Sequence, residues 1–365
     1  MSDLGFMLEA VALAAEGRYS TSPNPAVGCV LVRAGEIVGR GFHVRAGTAH
    51  AEVAALAAAG PAARGATAYV SLEPCNHHGR TGPCTEALLA AGVARVVYAC
   101  DDPNPRVAGQ GAARLRAAGV DVVAGVGAAE ASALNRGYFK RMRSGRPFVR
   151  IKIAMSLDAR MALASGESQW ITGPAARAEV QRLRAESCAI VTGSGTVLAD
   201  DPALTVREAR FGLHGRQPRR IVVDRRLAVP ATARLLSLPG ATHVLTTCSD
   251  ASRVAALEAA GAVVECFTEG TLDPAAVLAH LGALDANEVL VEAGPKLAGA
   301  FLAAGAFDEL IVHVAPKLLG ETARTAFVLP SPARLADALG LELVSSVRLG
   351  DDMGLTFASR PIASR

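Results

Sequence analysis

Two short stretches hold the residues best suited to chemistry, GFHVRAGTAHAEVAAL (Gly41–Leu56) and SLEPCNHHGRTGPCTEALLAAG (Ser71–Gly92). The second carries Cys75 and Cys84, with His77 and His78 between them. Cys84 opens a helical pattern, and a helix N-terminus favours negative charge, so its thiol is suited to act as a thiolate ligand. A catalytic zinc site uses three protein ligands and one open position. His50, upstream, is the better third ligand, and His77 and His78 line the pocket or shape the loop. Mid-helix, His50 and Glu52 would point about 200° apart. At the first turn, with His50 as cap, they converge.

His-x-Glu followed by Pro-Cys pairs is the pattern of zinc deaminases, in which the Glu shuttles protons and is not a ligand. The residues therefore predict His50, Cys75 and Cys84 on one Zn2+ per chain, with Glu52 catalytic. Two other readings use the same residues. The cysteines could be small buried hydrophobes beside a surface His50, or the zinc could be structural and closed by a fourth ligand, His77 or His78.

The elements that must position these groups alternate in period. Helical patterns cover Leu4–Glu16, AHAEVAALAAAG, CTEALLAAG, GAARLRAAG and one long stretch from about Ala128 to Arg143. Strand patterns cover AVGCVLVR, EIVGRGFHV, ATAYVSLE, RVVYAC and VDVVAG. This alternation predicts a layered α/β domain. SGRP (Ser144–Pro147) reads as a linker, dividing the chain into domains 1–145 and 146–365. The second domain starts at FVRIKIAMSLD, carries a helix at PAARAEVQRLRAESC, and has strands at AIVTGSG, RIVVD, THVLTTC, VVECF, NEVLV, ELIVHVAPKLLG and LELVSSVRL. With 365 residues, 51% of them hydrophobic, each domain can bury a core.

Composition narrows the partners. Aromatics are 4% of the chain and the net charge is +3, so neither stacking platforms nor a basic nucleic-acid surface is expected, while a small phosphorylated substrate is compatible. No apolar run reaches about 18 residues, so no membrane span is expected. Seven scattered cysteines and an N-terminus without a basic leader point to a reduced, cytoplasmic protein.

The wording Glu-Pro-Cys-x-His-His-Gly-Arg-Thr-x-Pro-Cys, with eight residues between the cysteines instead of two, resembles the deaminase half of the bifunctional riboflavin biosynthesis deaminase/reductases. SPNPAVGCVLV, GFHVRAGTAHAE and DDPNP extend the resemblance. KIAMSLDARMA, ESQWITG, GSGTVLADDPALTVR, RIVVD and VEAGPKLAGAFL resemble the reductase half. Gly82 stands where that family has Pro, and Ala293 where it often has Gly.

The resemblance implies a cytidine-deaminase-like three-layer α/β/α domain followed by a dihydrofolate-reductase-like α/β domain. It implies hydrolytic deamination of 2,5-diamino-6-(5-phosphoribosylamino)pyrimidin-4(3H)-one, then NADPH-dependent reduction to 5-amino-6-(5-phosphoribitylamino)uracil, in a homo-oligomer that is a dimer or tetramer. A rival is a cytidine- or guanine-type deaminase with a nucleotide-binding partner domain.

By family position, Asn24, His43 and Arg80 contact the first substrate. Asn24 could equally make a turn, His43 be a satisfied buried His, and Arg80 hold the loop. Ala154, Trp170, Thr196, Asp200, Arg225 and the run Gly294, Pro295, Lys296, Leu297, Ala298, Gly299 and Ala300 would contact NADPH, the last as a helix-start phosphate cradle. GSGTVLADDP could supply a second glycine-rich loop. Trp170 could instead be core, and Arg225 a surface charge. Ser168, Arg184, Leu204, Arg207 and Glu292 would contact the second substrate. Arg184 and Arg207 suit a phosphate, although Arg184 could be a solvated helix charge. Lys152 and Asp200 both qualify as the acid of the reduction.

Overall fold

Glycine and alanine let helices lie directly on the sheets of this chain. The computed structural model describes residues 1–77, 82–105 and 107–359. They form two units, one of residues 1–145 with 212–214, the other of residues 146–211 and 215 onward.

In the first unit the elements run α1 (Asp3–Glu16), β1 (Gly28–Arg33), β2 (Glu36–Phe42), α2 (Ala51–Ala59), β3 (Thr67–Val70), α3 (Cys84–Ala90), β4 (Arg95–Tyr98), α4 (Gln110–Ala117), β5 (Asp121–Ala124), α5 (Ala128–Leu134) and α6 (Arg136–Ser144). The sheet order is β2-β1-β3-β4-β5. β1 is antiparallel to β2 and β3, and β3, β4 and β5 are parallel. One face packs on α2, α3 and α4 through Ala51, Ala55, Leu88 and Leu115. The other packs on α1, α5 and α6 through Phe6, Met7, Ala10, Ala131 and Phe139. This is the three-layer α/β/α arrangement.

Two contacts require glycine. On β2, a Cβ at Gly41 would lie 2.5 Å from the Ala51 carbonyl oxygen and 2.4 Å from the Ala55 nitrogen; at Gly39 it would lie 2.4 Å from the Ala55 oxygen. The α2 backbone therefore rests on the strand itself.

The helix expected over Ala128–Arg143 is divided at Asn135, between α5 and α6. There the Asn135 amide clamps the main chain of Ala26, just after Pro-Asn-Pro. Oδ1 accepts from the Ala26 N–H at 2.8 Å and Nδ2 donates to the Ala26 carbonyl at 2.8 Å. A buried loop peptide without a ladder partner needs such a side chain.

The second unit contains β6 (Phe148–Ser156), β7 (Arg160–Ala162), α7 (Pro174–Glu186), β8 (Ala189–Gly193), α8 (Ser194–Asp200), β9 (Arg219–Val223), α9 (Arg234–Ser237), β10 (Thr242–Thr246), α10 (Ala251–Ala259), β11 (Ala262–Cys266), α11 (Pro274–Ala283), β12 (Glu288–Val291), α12 (Pro295–Ala303), β13 (Glu309–Ala315), β14 (Arg324–Thr325), β15 (Leu341–Leu349) and β16 (Asp352–Ser359). Its nine-stranded sheet has the order β11-β10-β9-β8-β12-β6-β13-β16-β15. The strands from β11 to β13 are parallel, and β16 is antiparallel to β13 and β15. α11 and α12 cover one face around Leu278, Leu281, Phe301 and Leu302. α7 covers the other through Leu183, against Leu290 and Ile311.

The sequence reading does not include β16, α10 or α11. Asp352–Ser359 is interrupted by Gly354, and Ala-rich α10 and α11 carry weak apolar stripes. GSGTVLADDP is also not a loop: it turns into α8 at Ser194.

Candidate active sites

In the first unit, His50 is the N-cap of α2, with extended geometry (φ −73°, ψ 163°). That backbone turns its ring back toward α3. His50 Nδ1 lies 3.2 Å from Cys84 Sγ and 3.6 Å from Cys75 Sγ, and the Cys84 N–H donates to Cys75 Sγ at 3.4 Å. The three ligand atoms lie within 4.8 Å of one another. Cys84 is the first residue of α3, so its sulfur and that of Cys75 gather at a helix start.

The two thiols share a proton. Cys75 is held well below the ordinary thiol range, first by the hydrogen bond from Cys84 and then by His50, while Cys84 is pushed up by the same contact. A divalent cation bound here would let both be thiolates, and the Cys2His donor set with one position left for water fits zinc. Glu52 is 3% exposed, and burial, then the charge of Cys75, pushes its carboxyl up to about 7.

The surrounding residues are ordered by hydrogen bonds. His43 is buried with both ring nitrogens engaged: Nδ1 with the Ala49 carbonyl at 3.0 Å, Nε2 with Asn24 Nδ2 at 3.1 Å. His43 thus orients the Asn24 amide. His78 and Arg80 lie outside the described residues. His77 Nδ1 is buried without a hydrogen-bond partner among the described residues, and His77 is not among the clustered ligand atoms.

The sequence reading misses Glu73. This buried carboxylate accepts N–H groups from Gly109 (2.9 Å), Gly111 (3.1 Å) and Ala112 (3.2 Å), pinning the Pro74-Cys75 turn to the start of α4. The signal was present as an acid beside a predicted ligand.

In the second unit Lys152, Arg184 and Arg207 lie around Glu292. Lys152 and Ala154 on β6, Glu292 after β12 and Arg184 on α7 belong to the α7 face. Arg184 holds Glu292 with two bonds of 2.6 and 2.8 Å and donates to the Thr205 carbonyl at 3.2 Å. This corrects the reading of Arg184 as a solvated helix charge. Its side chain is 11% exposed and paired with Glu292. Arg207 is exposed, and its charge reaches Glu292.

Lys152 is pulled below the ordinary lysine range by burial. His313, absent from the sequence reading, pairs in register with Ala154 and is 1% exposed, and its Nδ1 has no hydrogen-bond partner among the described residues. Burial, then the charge of Lys152, pushes its imidazole down to about 3. A histidine inside the apolar strand ELIVHVA was the available signal.

Around the expected cofactor residues, Thr196 accepts from the Gly294 N–H at 3.1 Å, joining α8 to the start of α12. The run from Gly294 to Ala300 divides. Ala298 is buried in the core, and Gly299 faces the Val328 carbonyl, 1.9 Å from where a Cβ would stand. The open part is Gly294–Leu297, with Ala300 exposed. Asp200 is hydrogen-bonded to Ser168.

Trp170 is 62% exposed under the Arg177 guanidinium at 4.7 Å, so it is not core. Leu204 is buried. Arg225 is exposed and donates to the Leu272 carbonyl at 3.0 Å.

A deaminase-type His-Cys-Cys-Glu cluster on one α/β unit and a charged cluster around Glu292 on a second unit with a largely parallel sheet define a two-domain deaminase and reductase. Residues 1–100 match the cytidine and deoxycytidylate deaminase zinc-binding region, and residues 147–355 match the RibD C-terminal domain. The riboflavin biosynthesis protein RibD of Escherichia coli K12 is 51% identical over 97% of this chain and 99% of its own. The structure of Acinetobacter baumannii RibD is 44% identical with a TM-score of 0.90, over 98% and 99% of the two chains. A Thermotoga maritima diaminohydroxyphosphoribosylaminopyrimidine deaminase/5-amino-6-(5-phosphoribosylamino)uracil reductase is 30% identical with a TM-score of 0.86, over the same shares. The chain belongs to the RibD family of bifunctional riboflavin biosynthesis enzymes, which use zinc and NADPH. Among the described residues no helix is long and apolar enough to cross a membrane.

Glu73→Gln would turn an amide N–H2 toward main-chain donors. We expect it to lower stability by about 2 kcal/mol, as for a hydrogen-bonded charged group, and to weaken zinc binding about tenfold or more by loosening the Cys75 turn. Thermal unfolding and a zinc-chelator competition would measure both.

Proposed function

We propose that the first unit deaminates 2,5-diamino-6-(5-phosphoribosylamino)pyrimidin-4(3H)-one, and that the second reduces the resulting ribosylaminouracil to 5-amino-6-(5-phosphoribitylamino)uracil. The observation that carries the reading is the convergence of His50, Cys75 and Cys84 beside the buried Glu52. These three side chains would hold zinc, which when bound supplies a water of pKa about 7. Glu52 takes a proton from the attacking water and returns it to the leaving amine, so ammonia departs. Its raised pKa suits both directions of transfer. Asn24, oriented by His43, presents its amide oxygen to the pyrimidine.

In the second unit, NADPH when bound supplies the hydride to C1′ of the ribose. The open turn at Gly294–Leu297 offers main-chain N–H groups to its phosphates. Arg207 is the exposed guanidinium available for the ribose phosphate, while Arg184 acts through Glu292. Lys152 is the proton donor to the ring oxygen as the ribose opens. It sits beside Glu292 and His313, whereas Asp200 lies exposed at the end of α8. The observations do not favour the cytidine-type or closed structural-zinc readings.

Self-association belongs to the same proposal. β15 is an edge strand with Leu343, Val344 and Val347 each at least 50% exposed, a surface that a second copy would cover. Sedimentation should give an assembly larger than one chain, reduced to monomer by combining Val344→Asp with Val347→Asp. A monomeric wild type would refute it.

Glu52→Gln should keep its zinc and lose deamination by about 10²–10⁴-fold, the usual worth of a general acid–base, while Cys75→Ala loses both. Ammonia release with metal analysis reads this out, and full ammonia release by Glu52→Gln would remove Glu52 from the chemistry.

Lys152→Ala should cut reductase kcat, while Asp200→Asn acts on the KM for NADPH. Because the acid must be protonated, turnover should fall as pH rises through the pKa of Lys152. Burial lowers that pKa, so the fall should begin below the ordinary lysine value of about 10.4. A pH profile of NADPH oxidation, flat up to that value, would exclude Lys152.

A further inference from the structure

One cluster of ligand-type side chains takes no part in either reaction. His243 on β10, Glu265 on β11 and His280 in the last turn of α11 bring three donor atoms within 4.8 Å of one another. The register is responsible. β10 and β11 pair in parallel, with His243 opposite Val263 and Leu245 opposite Glu265. Alternation puts His243, Leu245 and Glu265 on one face of the sheet. On that face Leu245 packs with Val277, Leu278 and Leu281 of α11, which brings His280 over the strand pair.

Glu265 Oε1 is the hub, with His243 Nδ1 and His280 Nε2 each 3.0 Å away. Hydrogen bonding accounts for only half of this. His243 Nδ1 bonds to the carboxylate, but His280 Nε2, shut off from solvent, has no aligned hydrogen bond in spite of its distance. Two imidazole nitrogens crowded on one carboxylate oxygen, one of them unbonded, is the arrangement a shared cation satisfies. The spacing is close to the 3.2–3.6 Å between His50 and its two cysteines.

We infer that His243, Glu265 and His280 form a second divalent-metal site, for a borderline transition ion such as Zn2+ or Co2+. Two imidazoles with one carboxylate favour these ions over Mg2+ and Ca2+. None of the residues proposed to meet substrate or NADPH belongs to the cluster. The ion would tie edge strand β11 and α11 to β10, and so stabilise the folded chain in proportion to its binding.

The test uses the full chain, stripped with a chelator and reloaded with Co2+. Wild-type protein should take up two ions per chain: one with the thiolate-to-cobalt absorption of a cysteine site, one without it. His280→Ala and Glu265→Gln should each hold one ion and keep the thiolate band. Cys75→Ala should lose the thiolate band and keep the other ion, which separates this inference from the assignment of the first site. Saturation of the wild type at one ion, or two ions persisting in both His280→Ala and Glu265→Gln, would overturn it.

Discussion

The contact on which the deaminase site depends is the approach of α2 to β2. A Cβ on Gly39 or Gly41 would stand only 2.4–2.5 Å from the α2 main chain. A helix with larger residues, or a strand with side chains there, would be held farther off. The start of α2 would then move, and with it His50, whose ring reaches the sulfurs only from the cap position. Glu52, two residues on, is buried by the same packing, and its burial raises its pKa. The placing of His50 and the raised pKa of Glu52 therefore share one cause, the small residues of a helix–strand interface.

The second unit solves a different problem, burying charge on a parallel sheet. Its α7 face carries Arg150, 1% exposed and bonded to Glu186 at 2.6 Å and Glu288 at 2.7 Å, and the Arg184–Glu292 pair. Breaking one member of such a pair is costly because the other remains as an uncompensated buried charge. The Arg184–Glu292 pair thus holds a carboxylate still beside Lys152 and His313, and the cluster inherits a fixed field.

The chemistry of the first site was legible because it is local: His-Ala-Glu at a helix start and two Pro-Cys steps are readable without a fold. Most strands were legible from apolar runs between turns. β16 was not, since its pairing with β13 and β15 is a property of the sheet, and neither was the break at Asn135, which serves a peptide of Ala26 more than a hundred residues away.

The sequence by itself determined which residue types could bind a metal, move a proton or hold a phosphate, because these are properties of side chains and short spacings. Only the tertiary structure decided which of them are free to act. Arg184 is occupied by Glu292, Gly299 by Val328 and His43 by Asn24 and Ala49, while Glu73 and His313 are drawn in. The physical reason is that partners and burial come from residues distant in the chain. They set hydrogen bonding and desolvation, and these determine whether a given side chain is available.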